Sequence, residues 1–155
     1  MPDANFRKIL RALKEHDVRF IVVGGVASVL SGAPMNTWDT DIVPSRDPKN
    51  VKALMRVLDS LDAVYRMEPG RRFKPGSSHL RGPGHHSLIT NCGPLDILGV
   101  VGPRLAYHDL LPDTVEMEID GGVRVRVLGL WKIIELKERK FKLLVVNMCH
   151  LVSVM

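Results

Sequence analysis

Asp39 and Asp41 stand one residue apart in Thr37-Trp38-Asp39-Thr40-Asp41-Ile42, at the entry to an apolar segment. Residues two apart on a strand project from the same face, so this spacing sets two carboxylates side by side and turns Thr40 away. Two like charges so close raise each other's pKa unless a cation compensates, and carboxylate oxygens are the ligands that magnesium prefers. A third acid, Asp96, is embedded in Leu95-Asp96-Ile97-Leu98, where an unpartnered carboxylate is costly. Placed on a neighbouring strand, it would complete a three-carboxylate site able to hold two metal ions about 3.5–4 Å apart. Each piece also has a plainer reading. An Asp-x-Asp pair can end a strand or cap a helix, and Asp96 alone could pair with a buried arginine.

The elements that must position these acids are read from apolar spacing. Phe6, Ile9, Leu10 and Leu13 mark a helix that ends at His16-Asp17, and Val18 to Val23 reads as a buried strand. Gly24-Gly25 permits a sharp turn into a short helix, Val26 to Leu30, closed near Gly32. Trp38 to Val43 is the second strand. Asp47 is the expected N-cap and Pro48 the first residue of a helix that carries Val51, Leu54, Met55, Leu58 and Leu61 inward and ends about Asp62. Met67 to Gly84 is rich in glycine, proline and basic residues and is expected to be a mobile loop made positive by Arg71, Arg72, Lys74 and Arg81. His85 to Asn91 and Leu95 to Val101 read as strands. Val115 to Ile119 and Val123 to Val127 flank Asp120-Gly121-Gly122, a hairpin signal, and a last helix starts near Leu130. This order predicts an α/β (α+β) fold in which helices flank a mixed β-sheet, with 1–155 forming a single domain.

Composition narrows the partners. The chain has 155 residues, a net charge of +5, 45% apolar and 25% charged residues, the balance of an ordinary soluble globule. A basic surface favours anionic partners such as nucleotides or nucleic acid, although charge alone equally describes a generally basic surface. Aromatic residues make up only 5%, which leaves few stacking platforms for a single-stranded nucleic acid. Two cysteines, Cys92 and Cys149, form neither a metal-ligand spacing nor a disulfide framework, so a cytoplasmic setting is expected. No apolar run approaches membrane-spanning length.

Other polar residues divide between chemistry and surface. Ser28, on the turn after Gly25, could bind phosphate or lie on a helix surface. The basic loop could grip a triphosphate or an RNA backbone, or be simply solvated. His85-His86 begins a strand opposite no cysteine or glutamate cluster and reads as ordinary strand residues.

The combination Val23-Gly24-Gly25, Thr37-Trp38-Asp39-Thr40-Asp41-Ile42 and Leu95-Asp96-Ile97 resembles the signature of the nucleotidyltransferase superfamily that contains polymerase β. It is most similar to small bacterial members, including AbiEii-type toxins of toxin–antitoxin systems, over roughly residues 6–137. The resemblance implies a nucleotidyltransferase-like fold and transfer of a nucleoside monophosphate from a nucleoside triphosphate to a hydroxyl on RNA, protein or a small molecule. It implies that Gly24 and Gly25 let the backbone approach the phosphates, and that Asp39, Asp41 and Asp96 hold Mg2+ or Mn2+ and carry catalysis. Asp96 would also help activate the acceptor hydroxyl. Lys137, in Ile133-Ile134-Glu135-Leu136-Lys137, matches a late lysine that can point toward the nucleotide. An antitoxin partner and a homo-oligomer are further expectations, and a membrane is not. Gly25 stands where many members carry serine, and Met35 where relatives often carry arginine. The alternative function is thus a catalytically inactive nucleotide-binding or protein-interaction module.

Relatives continue beyond the lysine with an Arg-x-Lys-Asp segment. Here residues 143–155 are an apolar tail, LLVVNMCHLVSVM, expected to be a helix or strand buried against the domain or a partner. Its composition suggests an altered or truncated C-terminus.

Overall fold

A computed structural model describes residues 5–153. Its first helix, α1 (Phe6–Glu15), is capped by the Asn5 side chain on the Lys8 amide and buries Ile9, Leu10 and Leu13. His16 closes that helix and Asp17 turns the chain through a positive φ of 56° into β1 (Phe20–Val23), all four residues of which are buried. The short helix α2 (Gly24–Leu30) leads through an irregular stretch to β2 (Thr40–Pro44), which runs antiparallel to β1. Helix α3 (Pro48–Ser60) and the two-residue strand β3 (Val64–Tyr65) follow.

The second half supplies β4 (His85–Thr90), β5 (Gly93–Leu98), the one-turn helix α5 (Tyr107–Leu110), β6 (Thr114–Asp120) and β7 (Val123–Leu128). Helix α6 (Leu130–Ser153) ends the described chain. One seven-stranded mixed sheet runs in the order β3-β4-β5-β2-β1-β7-β6. The β2–β5 and β1–β7 pairs are parallel, and the other neighbours are antiparallel. The predicted α/β class with a mixed sheet and flanking helices is therefore the observed one.

The alternation read from sequence holds at the centre of the sheet. Thr40, Ile42, Leu95 and Ile97 point into the core, where each is no more than 2% exposed. Asp41 and Asp96, between them in sequence, must then lie on the other face. At the edge of β1 the buried Asn50 ties three segments together. Its side chain accepts from the Arg19 amide at 2.7 Å and donates to the carbonyls of Arg19 and Ser45 at 2.9 and 2.7 Å.

Several expectations are corrected. The second strand begins at Thr40 rather than Trp38, which is exposed. Asp47 does precede the helix, but its carboxylate takes hydrogen bonds from Ser45 and Arg19 instead of capping the helix amides. The Met67 to Gly84 segment contains a 3-10 turn (Pro69–Arg71) and the short helix α4 (Ser77–Leu80), whose Leu80 is buried. Its basic residues are largely engaged, since Arg71 pairs with Glu68, Arg72 with Asp62 and Lys74 with Asp59. The apolar tail is helical as far as Ser153, yet Leu143, Leu144, Val145, Val146 and Met148 are all exposed, so these residues are not buried against this chain. Residues 154 and 155 of that tail lie outside the described residues.

Candidate active site

A polar row crosses the sheet on the face opposite the core. Val23 at the end of β1 pairs with Asp41 on β2, Asp41 stands opposite Asp96 on β5, and Asp96 stands opposite Ser87 on β4. The row ends at Arg66, just past β3, whose amide donates to the Ser87 carbonyl at 3.0 Å. Directly paired residues share a face, so strand register alone brings Asp41, Asp96 and Ser87 together from three separate parts of the chain. Asp39 lies immediately before β2 and joins them through Arg66. The guanidinium places Nη2 2.5 Å from Asp96 Oδ1 and Nη1 3.7 Å from Asp39 Oδ1.

The loop geometry explains the spacing of the sequence blocks. Gly24 has a φ of +67°, and a Cβ there would fall on the Asp41 carboxylate. A Cβ on Gly25 would come 2.5 Å from Thr37 Oγ1. Thr37 in turn donates to the Asp39 carbonyl at 3.2 Å. The two glycines are thus the surface on which the Thr37 to Asp41 segment rests, and any side chain would push the acids away.

Charge is crowded on this face. Asp41 is raised from 3.8 to about 7, chiefly by burial, then by the Asp96 charge, a hydrogen bond shared with Asp96 and the Asp39 charge, with Arg66 opposing. Asp96 is 8% exposed and has a second basic neighbour, His85, whose Nε2 lies 3.8 Å from Oδ2. Ser87 Oγ is 3.4 Å from the same His85 nitrogen. His86, by contrast, is structural: Nδ1 sits 2.9 Å from Tyr65 Oη, and burial lowers its pKa.

The donor chemistry suits a hard divalent cation, since Asp41 and Asp96 stand side by side with Asp39 near enough that its charge, after burial and Asp96, helps raise Asp41. As the side chains stand, however, among the described residues no three His, Cys, Asp or Glu side chains are arranged to hold a metal ion. The Arg66 guanidinium instead bridges Asp39 and Asp96.

The other expected site residues lie elsewhere or face inward. Ser28 is buried rather than on a helix surface, and its hydroxyl donates to the Gly24 carbonyl at 3.3 Å. Lys137 is exposed on α6 beside Glu138, Phe141 and Lys142 and makes no hydrogen bond or ion pair with the acids. Arg66, His85 and Ser87 are the residues that sequence reading did not assign to the site. The buried partner allowed for Asp96 is Arg66, but nothing in its neighbourhood along the chain marks it out.

No family profile matches the chain, and no curated protein matches it in sequence. Among solved structures, it is similar to a Thermotoga maritima protein provisionally named a nucleotidyltransferase. The two share 20% identity with a TM-score of 0.63, over 94% of this chain and 88% of that one. This likeness shows the fold: a nucleotidyltransferase-like mixed sheet flanked by helices. Among the described residues no helix is long and apolar enough to cross a membrane.

Proposed function

We propose that the chain is a divalent-metal-dependent nucleotidyltransferase that moves a nucleoside monophosphate from a nucleoside triphosphate to a hydroxyl acceptor. The observation that carries this reading is the in-register pairing of Asp41 with Asp96, beside Asp39 and against Gly24, within a fold of that type. In the transfer, the acceptor oxygen forms a bond to the α-phosphorus while the bond from that phosphorus to the bridging oxygen breaks. Pyrophosphate leaves with the bonding electrons, and the acceptor proton passes to a base. Asp39, Asp41 and Asp96 would hold Mg2+ or Mn2+, and the bound metal would stabilise negative charge on the attacking and leaving oxygens.

This chain's own residues supply position and charge. Gly24 and Gly25 leave the room in which Asp41 and Thr37 pack against their backbone, which sets the acids, and their backbone amides at the start of α2 would meet phosphate. In this reading Asp96, with His85 beside it, would receive the acceptor proton. The toxin-like resemblance, together with a net charge of +5, points to RNA or a protein side chain as the acceptor, and a toxin-like role with an antitoxin partner belongs to the same reading.

A second reading is supported by one observation. If Arg66 never leaves Asp96 and Asp39, the site is closed to metal and the chain serves as a nucleotide-binding or protein-interaction module. Titration with each nucleoside triphosphate and Mg2+ separates the two, using the native chain and an Asp39→Ala, Asp41→Ala double variant. Metal-dependent binding lost in the variant, with pyrophosphate released in the presence of an acceptor, is the expected result. Binding that ignores both metal and substitution would leave only the module.

A further inference from the structure

Arg66 is held in an unusual way for a structural arginine. Its backbone is fixed by the hydrogen bond to Ser87 at the edge of the sheet, so only the side chain is free to relocate. Nη2 grips Asp96 Oδ1 at 2.5 Å, whereas the contact to Asp39 is a looser 3.7 Å. Nε is buried without any hydrogen-bond partner. A guanidinium settled in a cradle of its own would satisfy that donor, because a buried unpaired N–H is costly. Carboxylate charge therefore draws the Arg66 head inward against a local penalty. The side chain is still 36% exposed, against 11% for Asp96, so a route to solvent is open.

We propose that Arg66 is a built-in counter-ion that occupies the cation position of the acid cluster and must be displaced for a divalent metal to bind. This rests on the metal-dependent reading of the site given above. Asp96 Oδ1 cannot serve the guanidinium and a metal at full strength together, so the two cations compete for the same oxygen. In the metal-free chain Arg66 suppresses repulsion among Asp39, Asp41 and Asp96. On displacement, its planar fork becomes free beside the site, where the oxygens of a triphosphate offer it new acceptors. Metal alone then binds weakly, and metal with triphosphate binds synergistically, because the anion compensates the charge that Arg66 loses.

The test is the affinity for Mn2+ without nucleotide, read from the electron paramagnetic resonance of the free ion, for the native chain, Arg66→Gln and Arg66→Lys. Arg66→Gln is expected to bind Mn2+ about tenfold tighter or more than the native chain. Arg66→Lys keeps the charge without the bridging fork and is expected to fall between them. It also keeps the test informative should Arg66→Gln fold poorly. Adding a non-hydrolysable triphosphate should tighten Mn2+ binding to the native chain by a larger factor than to Arg66→Gln. Equal Mn2+ affinity in all three, or weaker binding in both variants, would overturn the counter-ion role while leaving the metal site standing. Absence of Mn2+ binding in all three, with triphosphate present, would instead overturn the metal reading and this proposal with it.

Discussion

The carboxylate of Asp41 lies against the backbone of Gly24, in the space that a Cβ on Gly24 would need. Gly24 opens α2 just past β1 and Asp41 sits on β2, and their contact turns a glycine between strand and helix into a determinant of where an acid stands. The φ of +67° adds a second restriction, since side chains rarely adopt it.

Gly24→Ala should therefore do more than strain the turn. Left-handed strain alone costs about 1–2 kcal/mol, which Gly121→Ala in the β6–β7 hairpin is expected to show, because φ there is +51° and nothing lies within 4 Å. Gly24→Ala should exceed that cost in urea unfolding and should also abolish metal-dependent triphosphate binding. Equal costs for the two variants, with binding intact, would show that Asp41 yields without consequence.

Asn50 holds the entry to β1 against the exit of β2, so its loss strands several polar groups at once. Asn50→Ala leaves the partly buried Arg19 amide and the buried Ser45 carbonyl without their side-chain partner, while the Arg19 carbonyl keeps the Ser45 amide at 3.0 Å. The expected loss is about 2–4 kcal/mol in equilibrium unfolding. A change under about 0.5 kcal/mol would mean that water reaches these groups.

The parts of the chain legible in sequence were those governed by local rules. The apolar run ending at Val23, the Asp120-Gly121-Gly122 turn and the Asp47-Pro48 helix start all appear where spacing puts them. The acids Asp39, Asp41 and Asp96 were singled out because a carboxylate in apolar surroundings is conspicuous. Arg66 was not, because it follows a strand only two residues long, below the length at which alternation can be read. Its role depends on β3 joining the edge of the sheet beside β4, a pairing between distant segments that no local pattern encodes. His85 and Ser87 were hidden for the same reason: their meaning comes from the register of β4 against β5.

Residues 143–150 of α6 are exposed along the helix and pack little against the fold of this chain. Leu143 is 63% and Val146 52% exposed, so Leu143→Ser with Val146→Ser should leave the unfolding free energy within about 0.5 kcal/mol. Concentration-dependent light scattering should fall, since contiguous exposed apolar groups promote association. A large loss of stability at low concentration would mean instead that the helix end is already covered.

Asp41 ties stability to pH in a direction opposite to that of an ordinary salt-bridged carboxylate. Its pKa in the folded chain is about 7 against 3.8 for an unperturbed aspartate, so between those values the folded state holds a proton that the unfolded chain has released. Its contribution is thus fully present below about pH 4 and declines as pH rises toward 7. Asp41→Asn removes the titration, and above pH 8 it should be the more stable protein by on the order of 1–2 kcal/mol once solvent screening is allowed for. Near pH 4 the two should converge. Mg2+ gives the sign a second check, because a cation held by the ionised carboxylate should stabilise the native chain at pH 8 and do so much less for Asp41→Asn. Urea unfolding at the two pH values, with and without Mg2+, measures all four differences. A gap that does not depend on pH would mean that burial and the neighbouring carboxylates do not together raise Asp41.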